Sequence, residues 1–155
     1  MKTLIVLSAP PASGKSTWAK SYQESHDETY IISSDAIRYE LTGQLQDFSK
    51  QKEVWELFSL RIHEYAKKSE NATVILDALC DLNSLRIKYV KDNPEYDRYI
   101  LVLFPHTFEE MKKYNQMRDP SQIVPEEALR ALYNKFEAVT DEVLSLYDEV
   151  IRVNF

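Results

Sequence analysis

Residues 8–18, which read S-A-P-P-A-S-G-K-S-T-W, carry the clearest chemical pattern in the sequence. They follow an apolar, β-branched run at positions 3–7 and lead into a segment with helical character at 15–24. A loop between a buried strand and a helix can surround a phosphate with backbone N–H groups, and the helix N-terminus adds partial positive charge. Lys15 is then expected to reach the β- and γ-phosphates of ATP, and the Ser16 hydroxyl is expected to ligate Mg²⁺.

The loop departs from the usual G-x-x-x-x-G-K-[ST] pattern at its first position. Ala9 stands where the first glycine is common, and alanine is an accepted alternative there if its φ angle is negative. Pro10 and Pro11 have no backbone N–H, so they cannot donate a hydrogen bond to a phosphate. The predicted ATP-binding residues therefore lie beyond the prolines: Ala12, Ser13, Gly14, Lys15, Ser16 and Thr17.

Two aspartates follow two further apolar runs. Asp35 comes after a predicted strand at 30–33, and Asp77 comes after a predicted strand at 73–76. Because ligands of parallel α/β sheets bind at the carboxyl ends of the strands, we expect both carboxylates near the phosphate loop. Asp77 is then a candidate to hold a magnesium-bound water, and its alternative role is that of an aspartate that ends the strand.

Asp35 and Arg38 are separated by one helical turn, which places their side chains on the same side of a helix. A carboxylate in this place can accept the proton of an attacking hydroxyl, and a guanidinium can bind a phosphate of the acceptor. On these residues alone, the alternative is a helix N-cap aspartate next to an exposed arginine.

Strands alternate with helices along the chain, which indicates right-handed crossovers and a parallel sheet with helices on both faces. Thr107 and Glu110 have the spacing of a capping box, and residues 119–122 are expected to interrupt the helix that begins there. The predicted strands cover residues 3–7, 30–33, 73–76, 99–103 and 149–153, and the predicted helices cover 15–24, 49–68, 107–117 and a segment from 125 onward.

Length and composition favour one domain over residues 1–155. At 44% hydrophobic and 28% charged residues, a chain of this length can bury a core of its own. A net charge of −6 without a basic stripe weighs against binding of extended duplexes, but it leaves room for a pocket that binds one nucleotide or strand end. Cys80 is the single cysteine and the apolar run at 4–7 is too short to span a membrane, so we expect a cytoplasmic protein without membrane association. We also expect no obligate protein partner.

Several short sequence blocks follow one another in an order and at a spacing typical of one protein family. The blocks are S-G-K-S-T-W-A at 13–19, S-D-A-I-R at 34–38, V-I-L-D at 74–77 followed by Asn83 and Arg86, and Arg118 ahead of V-P at 124–125. In these blocks the chain resembles the kinase domain of phage-type 5′-hydroxyl polynucleotide kinases, within the small P-loop kinases. The resemblance covers residues 1 to about 137.

The resemblance implies an ATP- and Mg²⁺-dependent kinase with a three-layer α/β/α fold, a five-stranded parallel sheet in the order 2-3-1-4-5, and a helical lid. Asp35 matches the general base that activates the 5′-hydroxyl, and Arg38 matches the residue that binds the adjacent phosphate of the acceptor. Asn83 and Arg86 are further candidates for acceptor binding. Arg118 matches the lid arginine that stabilises charge on the transferring phosphoryl group, and its alternative is an arginine that neutralises carbonyls at a helix end.

The sequence also departs from the family pattern on the acceptor side. Asp77 is followed by A-L-C-D at 78–81 where a threonine and an asparagine are common, Tyr114 replaces a second basic residue, and one residue is inserted at 119–120. These changes remove or displace polar contacts to a substrate phosphate. Two other hypotheses therefore stay open: a kinase for a nucleoside, sugar or antibiotic hydroxyl, and an ATP-binding module or toxin-like partner protein with little turnover.

Overall fold

The computed structural model describes residues 1–154, within which five strands alternate with seven α-helices. The strands are β1 (Thr3–Ser8), β2 (Thr29–Ser33), β3 (Thr73–Asp77), β4 (Arg98–Leu103) and β5 (Glu149–Arg152). The helices are α1 (Lys15–Ser25), α2 (Ser34–Thr42), α3 (Gln51–Ala66), α4 (Asn83–Lys91), α5 (Phe108–Gln116), α6 (Glu126–Lys135) and α7 (Asp141–Leu146). A short 3₁₀ helix, Pro120–Gln122, lies between α5 and α6. No helix among these residues has the length and apolar character needed to cross a membrane.

The five strands form a parallel sheet in the order β2-β3-β1-β4-β5, which confirms the predicted fold. Residues 4–7 of the central strand β1 are fully buried, as expected for a strand covered by helices on both faces. Ser33 of β2 is in register with Asp77 of β3, and Ser8 of β1 is in register with Leu103 of β4. The carboxyl ends of these strands therefore meet at one edge of the sheet.

Alternating side chains of β1 enter two separate hydrophobic cores. Leu4 and Val6 belong to the larger core, which includes residues of α2, α3, α4 and α7. Ile5 and Leu7 belong to the smaller core on the opposite face, which includes Ala19 of α1. This alternation produces the three layers that the sequence pattern predicts.

The predicted helical lid is formed by α5, the 3₁₀ helix and α6. Thr107 caps α5 with the predicted capping box, in which Glu110 is the reciprocal partner. Phe108 and Met111 of α5 pack with Leu129 of α6 in a small apolar cluster separate from the two sheet cores. The lid therefore has its own packing.

The sequence pattern predicts only one helical turn at α2, and it predicts neither α4 nor α7. α2 begins directly after its strand because the Ser33 hydroxyl accepts a hydrogen bond from the Ala36 N–H at 3.2 Å. The chain leaves this helix at Gly43, whose φ of 77° is a left-handed value that glycine adopts without strain. In α4 the fully buried Arg86 interrupts the apolar periodicity on which helix prediction depends.

Candidate active site

A cavity of about 600 Å³ opens at the carboxyl ends of the central strands. Its walls include the phosphate loop, the start of α2, the end of β3 and the end of α5. The structure brings together ten predicted site residues here: Ala12, Ser13, Gly14, Lys15, Ser16, Thr17, Asp35, Arg38, Asp77 and Arg118. Asn83 and Arg86 do not line this cavity.

The phosphate loop has two residues with a positive φ angle, Ala12 at 58° and Gly14 at 83°. Ala9 is not among the residues with positive φ, and it is fully buried, so alanine fits the place of the first glycine. A Cβ atom on Gly14 would have no heavy atom within 4 Å, so the backbone angle, and not lack of space, is what favours glycine there. Ser13 is buried and its hydroxyl donates a hydrogen bond to the Pro10 carbonyl, which leaves its backbone N–H as the group suited to a phosphate.

Ser16 and Asp77 are in direct contact although they are far apart in sequence. The Ser16 hydroxyl donates a hydrogen bond to Asp77 Oδ2 at 2.8 Å, and Asp77 is 7% exposed. This pair of oxygen donors fits Mg²⁺, which takes one or two protein oxygens and completes its shell with phosphate oxygens and water. Within residues 1–154 no group of three acidic, histidine or cysteine side chains is placed to hold a metal ion. A Mg²⁺ ion held by Ser16 and Asp77 would take its other ligands from nucleotide phosphates and water.

Asp35 and Arg38, which share the cavity with the phosphate loop, form an ion pair. Arg38 Nη1 donates a hydrogen bond to Asp35 Oδ1 at 2.7 Å. The Asp35 side chain is 56% exposed, whereas the Arg38 side chain is 6% exposed. The carboxylate is therefore accessible to a bound molecule, and the buried arginine fixes its orientation.

Arg38 is itself held by residues that the sequence pattern does not single out. Its Nε donates to Gln51 Oε1 at 2.9 Å, and its Nη1 also donates to the Leu45 carbonyl at 3.2 Å. The Phe48 ring lies against the guanidinium, with 4.7 Å between Arg38 Cζ and the ring centroid. Gln51, Leu45 and Phe48 come from α3 and the loop before it, and all three line the cavity.

Arg118 extends the site from the lid side. It follows the last turn of α5, where its backbone N–H donates to the Asn115 carbonyl at 3.3 Å. Burial lowers the pKa of the Arg118 guanidinium, and the nearby carboxylates of Asp35 and Asp77 act in the opposite direction by raising this pKa. An arginine starts from so high a pKa that it remains a cation at neutral pH. The lid thus brings a positive charge close to both aspartates.

The structure places Asn83 and Arg86 in a hydrogen-bond network outside the lining of the cavity. Arg86 is fully buried, and it donates hydrogen bonds to Ser8 Oγ at 2.9 Å and to Asn83 Oδ1 at 2.7 Å. The Asn83 amide donates to the Ala138 carbonyl at 2.8 Å. These contacts connect the end of β1 to the segment that follows the lid. Cys80 lies in the same region, and burial raises the pKa of its thiol to about 12, so the thiol stays protonated.

Comparison with solved structures supports the kinase-like fold. The chain is similar to Kti12 of Chaetomium thermophilum in complex with ADP-AlF3, with a TM-score of 0.70 and 16% identity over 98% of this chain and 89% of that chain. It is similar to a chain of the Pnkp1/Rnl/Hen1 RNA repair complex, with a TM-score of 0.73 and 20% identity over 95% of this chain and 46% of that chain. It is also similar to shikimate kinase from Acinetobacter baumannii bound to shikimate, with a TM-score of 0.60 and 20% identity over 98% of this chain and 84% of that chain.

At these identities the similarities establish the fold, and at that level they confirm the resemblance to polynucleotide kinase. A search of curated protein sequences finds no significant match. A family model described as AAA domain matches residues 4–139, which extend from β1 through the phosphate loop and the lid. Because this match covers most of its length, the chain belongs to the AAA domain family of P-loop proteins.

Proposed function

We propose that this protein transfers the γ-phosphoryl group of ATP to a hydroxyl, and that the acceptor is the 5′-hydroxyl of an oligo- or polynucleotide. The observation that carries the proposal is the exposed Asp35 carboxylate, which shares one cavity with the phosphate loop and is oriented by the buried Arg38. A protein that only bound ATP would not require a proton acceptor and an anion-binding arginine in the same cavity as the phosphate loop.

The donor side holds ATP through the phosphate loop. The backbone N–H groups of residues 12–17 and the Lys15 ammonium bind the phosphates, and α1 directs its positive end toward them. Ser16 and Asp77 would hold Mg²⁺, which neutralises charge on the β- and γ-phosphates when it is bound.

The acceptor side prepares the hydroxyl for attack. Asp35 accepts the proton as the hydroxyl oxygen forms its bond to the γ-phosphorus and the bond to the β-γ bridging oxygen breaks. Arg38 binds an anionic group of the acceptor, and Arg118 stabilises the charge on the transferring phosphoryl oxygens. Phosphoryl transfer depends mainly on position and charge, so these few side chains suffice.

We define the acceptor wall as the part of the cavity lined by Asp35, Arg38, Leu45, Gln46, Phe48, Gln51 and Trp55. A nucleotide acceptor agrees with the lining of this wall. A guanidinium matches the geometry of a phosphate. The buried Arg38 lies against the Phe48 ring, and Trp55 lines the same cavity. A nucleotide presents a phosphate next to a flat ring, so it complements both features. The similarity to a chain of an RNA repair complex supports the same class of acceptor.

A small-molecule acceptor is the second candidate. It is favoured by the net charge of −6 and by the similarity to shikimate kinase over 98% of the chain. Arg38 would then bind a carboxylate or phosphate of the small molecule. For either acceptor we place the reaction in the cytoplasm, since the single cysteine permits no internal disulfide.

A transfer assay with γ-labelled ATP tests the proposal. Equal concentrations of a 5′-hydroxyl oligonucleotide, a nucleoside and a panel of sugars and hydroxy acids are compared, and Lys15→Ala serves as the inactive control. We expect the label on the oligonucleotide 5′ end. Label on small molecules alone would establish the second candidate instead, and tight ATP binding without label on any acceptor would indicate an ATP-binding protein with little turnover.

A further inference from the structure

One side chain connects the lid to the acceptor wall. We define the acceptor loop as residues 43–50, between α2 and α3, and the lid tip as residues 119–124. Gln46 of the acceptor loop donates hydrogen bonds from Nε2 to the Ser121 carbonyl at 3.0 Å and to the Ile123 carbonyl at 3.2 Å. An amide NH₂ group has two hydrogens, so both can be used in this contact.

The acceptor loop that carries Gln46 also holds Arg38. The Leu45 carbonyl, one residue before Gln46, accepts a hydrogen bond from Arg38 Nη1, and the Phe48 ring packs against the same guanidinium. A displacement of this loop would therefore change the position of the arginine that binds the acceptor.

The lid tip is held by local hydrogen bonds that involve residues on both sides of Arg118 in the sequence. Asp119, the next residue, caps the 3₁₀ helix by accepting from the Ser121 N–H at 3.0 Å and the Ser121 hydroxyl at 2.7 Å. Asn115, in the last turn before Arg118, exchanges hydrogen bonds with the Val124 backbone at 2.7 and 3.0 Å. The tip and Arg118 are thus expected to move together.

We propose that Gln46 is a positioning residue that docks the lid tip onto the acceptor loop and thereby sets Arg118 and Arg38 relative to each other. Each arginine acts on one partner of the transfer, so their relative position determines whether the acceptor hydroxyl meets the γ-phosphate in line. The docked lid also excludes water from the phosphoryl group. The catalytic part of this inference rests on the proposed function.

Kinetics of Gln46 variants test the catalytic part. We expect Gln46→Ala to lower kcat/KM for the acceptor about tenfold, with ATP KM unchanged and a larger share of ATP hydrolysed without transfer. Gln46→Glu has the same size, but it presents carboxylate oxygens to two carbonyl oxygens, so we expect at least the same loss. Gln44→Ala is the matched control, because Gln44 lies on the same loop and only its backbone is hydrogen-bonded within residues 1–154. Wild-type kinetics in both Gln46 variants would overturn the proposal.

A double mutant separates positioning from a general structural effect. If Gln46 acts through the lid arginine, Gln46→Ala should cause less than about a twofold further loss of kcat/KM for the acceptor in an Arg118→Ala background, compared with about tenfold when Arg118 is present. A full, multiplicative loss in that background would overturn the coupling between these two residues.

Hydrogen exchange tests the docking without any turnover. We expect faster amide exchange at residues 119–124 in Gln46→Ala than in the wild type or Gln44→Ala, because the tip loses its contact with the acceptor loop. Unchanged exchange would overturn the docking, whatever the acceptor is. Faster exchange in a protein that phosphorylates no acceptor would support the docking and refute the proposed function alone.

Discussion

Replacement of Asp35 by asparagine is the sharpest test of the proposed chemistry. The substitution keeps the size of the side chain but removes the group that accepts a proton. A positioned general base contributes about 10²- to 10⁴-fold to the rate of a reaction. We therefore expect kcat for the transfer to a 5′-hydroxyl to fall about 10³-fold in Asp35→Asn.

The structure predicts that the other properties of this variant change little. Arg38 keeps its hydrogen bonds to Gln51 and to the Leu45 carbonyl, so its guanidinium stays in place and the acceptor KM should rise less than about threefold. The Asp35 side chain is 56% exposed, so loss of the ion pair should change the free energy of unfolding by less than about 1 kcal/mol. The KM for ATP should be unchanged, because the phosphates are held by a different element.

Single-turnover transfer from labelled ATP to a 5′-hydroxyl oligonucleotide measures the chemical step directly. Nucleotide binding and urea denaturation are measured on the same samples. Asp27→Asn is the matched control, because Asp27 is exposed and lies before β2, at the other end of that strand. A variant Asp35→Asn that retains more than about a tenth of the wild-type rate would refute the role of Asp35 as the general base. A parallel loss of ATP affinity would refute the separation of the donor and acceptor walls.

Three further substitutions or treatments test individual parts of the site. Gly14→Ala adds a Cβ that meets no heavy atom within 4 Å, but it forces alanine to adopt a φ of 83°, which is strained. Denaturation should therefore show a loss of about 1–2 kcal/mol in the free energy of unfolding. A stability equal to the wild type would contradict the strain argument. Arg38→Lys cannot reproduce the forked contacts to Gln51 and Asp35, so acceptor KM should rise more than about tenfold while ATP KM stays constant. Burial raises the pKa of Cys80 to about 12, so the thiol of the native protein should resist alkylation at pH 8.5 and react after denaturation; rapid labelling of the native protein would contradict its burial.

The donor wall, which consists of residues 12–17 and Asp77, could be predicted from the sequence because most of the residues that define it are close together in the chain. Gly14 and Lys15 follow the buried strand β1 within a few residues, and helix α1 begins at Lys15. The strand, the loop and the helix can therefore be recognised from one short segment of sequence. Asp77 could be placed beside Ser16 because strand ends in a parallel sheet share one edge, and the 2.8 Å contact agrees with that expectation. These inferences require only the order of the elements.

The surroundings of Arg38 could not be predicted, because they depend on how the loop after α2 folds back. No sequence pattern connects Arg38 with Gln51, Leu45 or Phe48. Leu45 contacts the guanidinium through its backbone carbonyl, and Phe48 does so through the face of its ring. The bridge from Gln46 to the lid joins residues 75 and 77 positions apart in the sequence. Such contacts follow from tertiary packing, for which residue type and spacing give no signal.

Asn83 and Arg86 match the spacing of the family pattern but lie outside the lining of the cavity. Their resemblance to acceptor-binding residues depends on the spacing after Asp77, yet α4 begins at Asn83 and turns Arg86 into the protein interior against Ser8. Burial of an arginine is costly unless the guanidinium is hydrogen-bonded. The fully buried Arg86 donates to Asn83 and to Ser8, and Ser8 ends the strand that precedes the phosphate loop. We therefore expect the segment after Asp77 to support the donor wall. We expect the loop before α3, which holds Arg38 and is hydrogen-bonded to the lid tip, to select the acceptor.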